Sequence, residues 1–244
     1  MNLTMVLHGK QVWRMHMDDL LTMPKMDKLK IFIGWDSRED IAFQVAKYSI
    51  LKYDPNIEVI PLKLYELREQ GCYWRAGDKK ASTEFTISRF LVPFLSGYKG
   101  YSMFMDCDVL AFGDMKHVLK EMKGDHDVWC VQHDYSPKSN MKMDGQMQHI
   151  YPKKNWSSVM LFDNSKCKIL TPKLVNDETP MYLHRMEWAD SIGNLHNKWN
   201  SLAGYYEDDP MLVHYTDGGP WFKKYRECPY NKEWKNTLKE MYGL

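Results

Sequence analysis

The sequence contains no CxxC pair. Its five cysteines (Cys72, Cys107, Cys130, Cys167, Cys228) are odd in number and far apart. A zinc-finger or disulfide-stapled scaffold is therefore excluded, and reduced thiols in a cytoplasmic protein are the expectation. No stretch approaches the ~18 apolar residues that a membrane-crossing helix needs, so no transmembrane segment is expected. The apolar start is interrupted by His8, Lys10 and Gln11, which argues against a secretory signal. Charge of one sign is also missing: 33 Lys+Arg against 32 Asp+Glu leave +1. No basic field is available to hold nucleic acid or an anionic membrane by charge alone, so nucleic acid is not an expected partner. There is no internal repeat.

What is present fits one α/β domain of ordinary size. The 244 residues are 44% hydrophobic and 27% charged, which is a globular balance. Residues 1–28 have mixed polarity and no period, and are read as an N-terminal appendage to a domain over 29–244. Short β-branched and aromatic runs predict strands at 29–34, 57–62, 101–105, 127–131 and 157–162, with a further short one at 212–213. Helices are predicted from Asp36 or Ser37 to about residue 53, and over 64–71, 83–95, 114–122, 168–176 and 182–192. A strand, a helix and a second strand at the start form a βαβ unit and hence the beginning of a parallel sheet. The polar segment 135–154 has no apolar period. A loop of that length in a compact domain is functional or disordered.

Three places carry chemistry. Asp106-Cys107-Asp108 follows the apolar strand 101–105 directly. Side chains two apart on a strand share a side, so both carboxylates face one way at the carboxyl end of a strand, where open parallel sheets collect ligands. Such a pair repels itself unless a cation lies against it. The hard dications Mn²⁺ and Mg²⁺ suit carboxylate and phosphate oxygens and would neutralise a departing diphosphate. The competing reading is a solvated strand-end turn. Arg89, on the preceding helix, is either a fork for an anionic or hydroxyl-rich ligand or a surface residue. Near the chain's end His214 leaves the short strand 212–213 and enters a turn containing Gly218-Gly219. A neutral imidazole can complete a metal site begun by two carboxylates. Two glycines let backbone N–H groups approach phosphate, or serve the turn alone. Asp36 is open between a helix cap and a nucleoside contact, and Trp221 between ring stacking and core packing.

Taken in order, Ser88-Arg89-Phe90-Leu91-Val92-Pro93, Phe104-Met105-Asp106-Cys107-Asp108, Trp156-Ser157-Ser158-Val159-Met160-Leu161, Leu195-His196-Asn197-Lys198-Trp199-Asn200 and the stretch 214–221 resemble the GT-A-type glycosyltransferases. They are most similar to the glycogenin-like and lipopolysaccharide-galactosyltransferase-like retaining family. Ala81-Ser82-Thr83-Glu84-Phe85 and Lys142-Met143-Asp144-Gly145-Gln146 are similar to small glycosyltransferases of marine bacteria and large viruses. The resemblance implies a single GT-A-like (Rossmann-like) α/β domain, with a mainly parallel central sheet flanked by helices. It implies metal-dependent, hexosyltransferase-like transfer from a nucleoside diphosphate sugar, UDP-sugar favoured, to a hydroxyl of a carbohydrate or glycan acceptor, with retention. Asp106, Asp108 and His214 would hold Mn²⁺ or Mg²⁺. Asp36, Arg89, Cys107, Asp144, Gly218 and Gly219 would meet the donor, the loop around Asp144 folding over it as a lid. Arg89 and Asp106 would serve the reaction, with Glu187 and Asp190 in the place of the family's Asp-Gln-Asp segment.

The chain departs from the family pattern in three places. The segment 214–221 is one residue short and has no lysine before Pro220. Trp156 stands where asparagine is usual, one residue after Asn155. No Asp-Gln-Asp segment is present. Two other functions compete. A sugar nucleotidyltransferase would need a Gly-rich basic loop after the first strand, whereas Gly34-Trp35-Asp36-Ser37-Arg38 has one glycine. A catalytically silent carbohydrate- or nucleotide-binding module would have no need of the metal-type triad.

Overall fold

Nine strands are found among the residues that the computed structural model describes, 29–76, 82–134, 153–205 and 209–244. They are β1 (Lys30–Gly34), β2 (Glu58–Leu62), β3 (Tyr101–Met105), β4 (Val109–Ala111), β5 (Val128–Cys130), β6 (Val159–Asp163), β7 (Ile192–Asn194), β8 (Ser201–Leu202) and β9 (Leu212–His214). Six of them form a central sheet in the order β2-β1-β3-β6-β5-β7, and β4, β9 and β8 form a second sheet. In the central sheet β1 pairs in parallel with β2 and β3, and β5 with β7; β6 alone runs against its neighbours. The fold is therefore α/β with a mainly parallel sheet, as expected. β1, β3 and β6 are near-continuous apolar runs because both of their faces are covered.

The helix Asp40–Tyr53 follows β1 after a short 3₁₀ turn, Ser37–Glu39, whose N-cap is Asp36. It packs on β4 of the second sheet, and its Ser49 hydroxyl accepts the Ala111 N–H at 3.0 Å. A large core surrounds the central sheet. A smaller one joins Val45 of this helix to Leu110, Val213, Tyr215 and Trp234. Trp234, with Leu238 and Met241 packed on this second core, lies on one face of the helix Asn231–Met241. Trp234 is thus a core residue at a helical position, as its spacing suggests.

Several predicted helices shift or shrink. The segment 83–95 is a set of turns, then a 3₁₀ helix Ser88–Leu91 and one α turn Val92–Leu95. Pro93 has no N–H to give, so the α turn starts just ahead of it. The helices expected at 168–176 and 182–192 are Pro172–Asp177 and Pro180–His184. Each starts at a Thr-Pro step, with Thr171 or Thr179 capping a backbone N–H two residues beyond its proline. The second stops near Met186, whose φ of 54° is left-handed, and 192–194 is strand. The expected appendage at 1–28 and Asp144 in the loop 135–154 lie outside the described residues.

Candidate active site

Asp106-Cys107-Asp108 lies where the chain leaves β3 of the central sheet and enters β4 of the second. The Asp106 N–H is held by Ser158 O at 2.9 Å, on the central-sheet side. Asp108 O accepts the Tyr215 N–H at 2.8 Å, on the other. Antiparallel pairing places His214 opposite Val109. That register brings His214 Nε2 to 3.4 Å from Asp108 Oδ1. One ligand atom from each of Asp106, Asp108 and His214 falls within 4.8 Å of the others. Two carboxylate oxygens and an imidazole nitrogen are a donor set for Mn²⁺ or Mg²⁺, and they fit it in type and in spacing.

Arg89 is not a surface residue. It is 5% exposed, and its guanidinium carbon lies 4.8 Å from the Phe104 ring centre and 5.3 Å from that of Phe85. Nη1 is 2.8 Å from Asp106 Oδ1 and donates to Ser157 O at 2.8 Å. Nε donates to Thr86 O and Phe85 O at 3.1 and 3.3 Å. The fork thus fixes the Asp106 carboxylate and neutralises it. These groups open on one pocket, lined also by Thr83, Cys107, Asn155, Ser157, His184 and Thr216. The Cys107 thiol is pushed well up by burial and then by Glu39 and both aspartates, so it stays protonated.

Sequence reasoning did not single out Glu39. It lines the same pocket, is 4% exposed and accepts the Trp221 indole N–H at 3.2 Å. Burial first, then the charges of Asp108 and Asp36, push its pKa up to about 8. The only hint in the sequence was its place in an acidic helix start. His184, which the sequence reads as structural or exposed, also lines the pocket. Its Nδ1 lies 2.8 Å from Ser157 Oγ, with Phe90 packed edge-on. Buried His133 is kept neutral, its pKa pushed down to about 3 by burial and then by His214.

Other predicted residues lie elsewhere. Glu187 and Asp190 are exposed and do not line this pocket. Glu187 pairs with Arg185 at 3.8 Å. The short helix ends at His184, so the wall of the site comes from that residue instead. Asp36 is fully buried. Its oxygens accept Arg38 N, Nε and Nη2 at 3.0, 2.9 and 2.8 Å, and Glu84 N at 3.1 Å. It caps the 3₁₀ turn, and its carboxyl is occupied by Arg38 and Glu84. Burial would raise its pKa, but the bonds from Arg38 and Glu84 hold it below the ordinary carboxylate value. Gly218 and Gly219 are buried and do not line the pocket. The Gly218 N–H bonds Tyr215 O at 2.7 Å. A Cβ on Gly219 would sit 1.9 Å from the Trp221 ring. Glycine at both positions leaves room for the Tyr225 and Trp221 rings against the backbone. Trp221 likewise packs on Tyr215 and Trp234.

No family model matches the sequence. Protein CDI of Arabidopsis thaliana is 43% identical over 223 residues, covering 86% of this chain and 86% of that protein. The chain belongs to the Protein CDI family. Several solved glycosyltransferases are similar in fold to this member of the Protein CDI family. The bifunctional glycosyltransferase WbbM aligns with a TM-score of 0.55 at 16% identity, over 90% of this chain and 52% of its own. GlyE of Streptococcus pneumoniae TIGR4 aligns with a TM-score of 0.57 at 15% identity, over 86% of this chain and 61% of its own. The galactosyltransferase LgtC, in complex with donor and acceptor sugar analogs, aligns at 0.54 and 12%, over 86% and 95%. The chain thus spans between half and two thirds of WbbM and GlyE and nearly all of LgtC. At these identities the likeness establishes the fold, which is of the GT-A type. Among the described residues no helix is long and apolar enough to cross a membrane.

Proposed function

We propose that the chain transfers a hexosyl group from a nucleoside diphosphate sugar, UDP-sugar favoured, to a hydroxyl of a carbohydrate or glycan acceptor, with retention. The observation that carries this reading is the convergence of Asp106, Asp108 and His214, within 4.8 Å of one another, in a pocket at the carboxyl end of β3. Support comes from the GT-A fold and from likeness to LgtC, a galactosyltransferase. Asp106, Asp108 and His214 would hold Mn²⁺ or Mg²⁺. When bound, the cation supplies positive charge against the leaving diphosphate.

The chain's own residues have separable roles. Arg89 holds the Asp106 carboxylate in place through its 2.8 Å ion pair at the pocket wall. His184 and Ser157 form the wall that Glu187 and Asp190 do not reach, and meet the sugar there. In the transfer the anomeric C–O bond to the diphosphate breaks and a C–O bond to the acceptor oxygen forms on the same face. A diphosphate oxygen takes the acceptor's proton, so no protein nucleophile is required. Cys72, Cys107, Cys130, Cys167 and Cys228 are all free thiols, as suits action in a reducing cytoplasm.

Calorimetry of UDP binding with and without Mn²⁺, followed by UDP release from a panel of UDP-hexoses, tests the reading. UDP should bind at least tenfold more tightly with Mn²⁺, and one donor should be consumed. Equal affinity with and without the metal, together with no donor turnover, would leave a fold without the proposed chemistry.

A further inference from the structure

Behind His214 stands a side chain that none of the above assigns. His214 Nδ1 lies 3.0 Å from Asn200 Oδ1, and both residues are buried. An amide and an imidazole can each be turned to present a donor or an acceptor, so the contact alone does not say which ring nitrogen carries the proton. The far end of the amide decides it. Asn200 Nδ2 faces Asn155 O at 3.3 Å and Ser158 Oγ at 2.9 Å. The Ser158 hydroxyl proton is given to the same Asn155 O at 2.6 Å. A backbone carbonyl only accepts, and a hydroxyl that has given its proton away also accepts. The Asn200 NH₂ must therefore point toward Asn155 and Ser158, and its oxygen must face His214. The proton of neutral His214 is then on Nδ1, and the lone pair is on Nε2, the atom next to Asp108.

We infer that Asn200 is a positioning residue that sets the tautomer and ring orientation of His214, so that Nε2 presents a lone pair to the cation held with Asp106 and Asp108. The inference rests on the metal-site reading for its consequence, but not for the tautomer itself. Local structure explains why this residue can do it. Asn200 ends a 3₁₀ turn, Asn197–Asn200, and β8 follows at once. β8 pairs in parallel with β9, Leu202 opposite His214, which brings Asn200 behind the imidazole. The anchor, Asn155, is in the left-handed region at φ 65°. That turn directs its carbonyl oxygen to both Ser158 and Asn200. Ligands that bind a metal through one ring nitrogen commonly donate from the other to a fixed acceptor, and loss of that acceptor costs 10- to 100-fold in metal affinity.

Two measurements test this. Long-range ¹H–¹⁵N spectra of the metal-free full chain at alkaline pH report which ring nitrogen of His214 is protonated. Titration with Mn²⁺ alone, followed by electron paramagnetic resonance, gives its dissociation constant. The wild type should hold the proton on Nδ1. Asn200→Leu should give mixed or Nε2 protonation and bind Mn²⁺ 10- to 100-fold more weakly. Ser158→Ala frees one anchor of the amide without touching His214, and should weaken Mn²⁺ less than Asn200→Leu does. If Asn200→Leu does not fold, the wild-type spectrum and Ser158→Ala still decide. A wild-type proton on Nε2, or Mn²⁺ affinity and an Nδ1 proton unchanged in the variants, overturns the role of Asn200. A wild type with the proton on Nδ1 that binds no Mn²⁺ overturns the metal reading instead, and the consequence drawn from it.

Discussion

Replacing Glu39 with glutamine should make the protein more stable at alkaline pH and leave it nearly unchanged in mild acid. Glu39 is 4% exposed, and its pKa is raised from 4.5 to about 8, by burial first and then by Asp108 and Asp36. Between those values the folded chain holds a proton that the unfolded chain has released. Glu39 thus favours the folded state fully below about pH 4.5, and that contribution is lost as pH rises toward 8. At about 1.4 kcal/mol per pKa unit, the gap sets a ceiling of roughly 5 kcal/mol. Glutamine cannot ionise, and its carbonyl can still accept the Trp221 N–H. Glu39→Gln should therefore match wild type at about pH 5 and exceed it at about pH 9 by up to that ceiling, on the order of 10 °C in Tm for a chain of this size. Circular-dichroism melts in EDTA at several pH values measure the gap directly. A gap of the same size at both ends of the range, or a variant weaker throughout, would refute the argument that a proton resides on Glu39.

Asp108→Asn should melt within ~1 kcal/mol of wild type, or slightly above it, without metal, because it removes a like charge beside Asp106 and gives the His214 Nε2 lone pair an amide to face in place of a carboxylate. With Mn²⁺ and UDP at a hundredfold excess over the wild-type Kd it should lack the ~2.7 kcal/mol of protection that wild type gains, and undiminished protection would count against the metal site. Arg89→Lys keeps the charge but cannot reach Asp106, Ser157 O and Thr86 O together. It should cost roughly 2–3 kcal/mol in denaturant melts and lower UDP-sugar turnover; wild-type values for both would return Arg89 to a passive role. Gly219→Ala must displace the Trp221 ring. It should cost about 1–3 kcal/mol and shift tryptophan fluorescence, and an unchanged spectrum would show that the ring was not held there.

The sequence revealed most where pattern and chemistry coincide. Apolar runs located β1, β2, β3 and β6, and the residues Asp106, Asp108 and His214 carried their chemistry in residue type alone. It misled where one residue type has two uses. Gly218-Gly219 looked like a phosphate cradle, yet glycine is equally what lets the Trp221 and Tyr225 rings lie on the backbone. Asp36 looked able to meet a nucleoside, yet Arg38, two residues on, takes its carboxyl. Glu187 and Asp190 were sought on one long helix, but Met186 turns left-handed and sends both outward. Glu39 was legible only as part of an acidic helix start. Its neighbour Asp108 and its donor Trp221 are distant in the chain, and only folding brings them near.

The placement of Asp106-Cys107-Asp108 at the crossing from one sheet to the other has a mechanical consequence. The two sheets share no strand, and around this crossing they are joined by the chain itself, by the helix Asp40–Tyr53 and by buried side chains. A ligand gripping Asp106 on one side and Asp108 with His214 on the other would act as a rivet through the seam. Local opening of the small sheet would then have to break ligand contacts as well as strand pairing. Amide hydrogen exchange in β4, β8 and β9 should slow on binding far more than exchange in β1 or β2, whose opening leaves the rivet untouched.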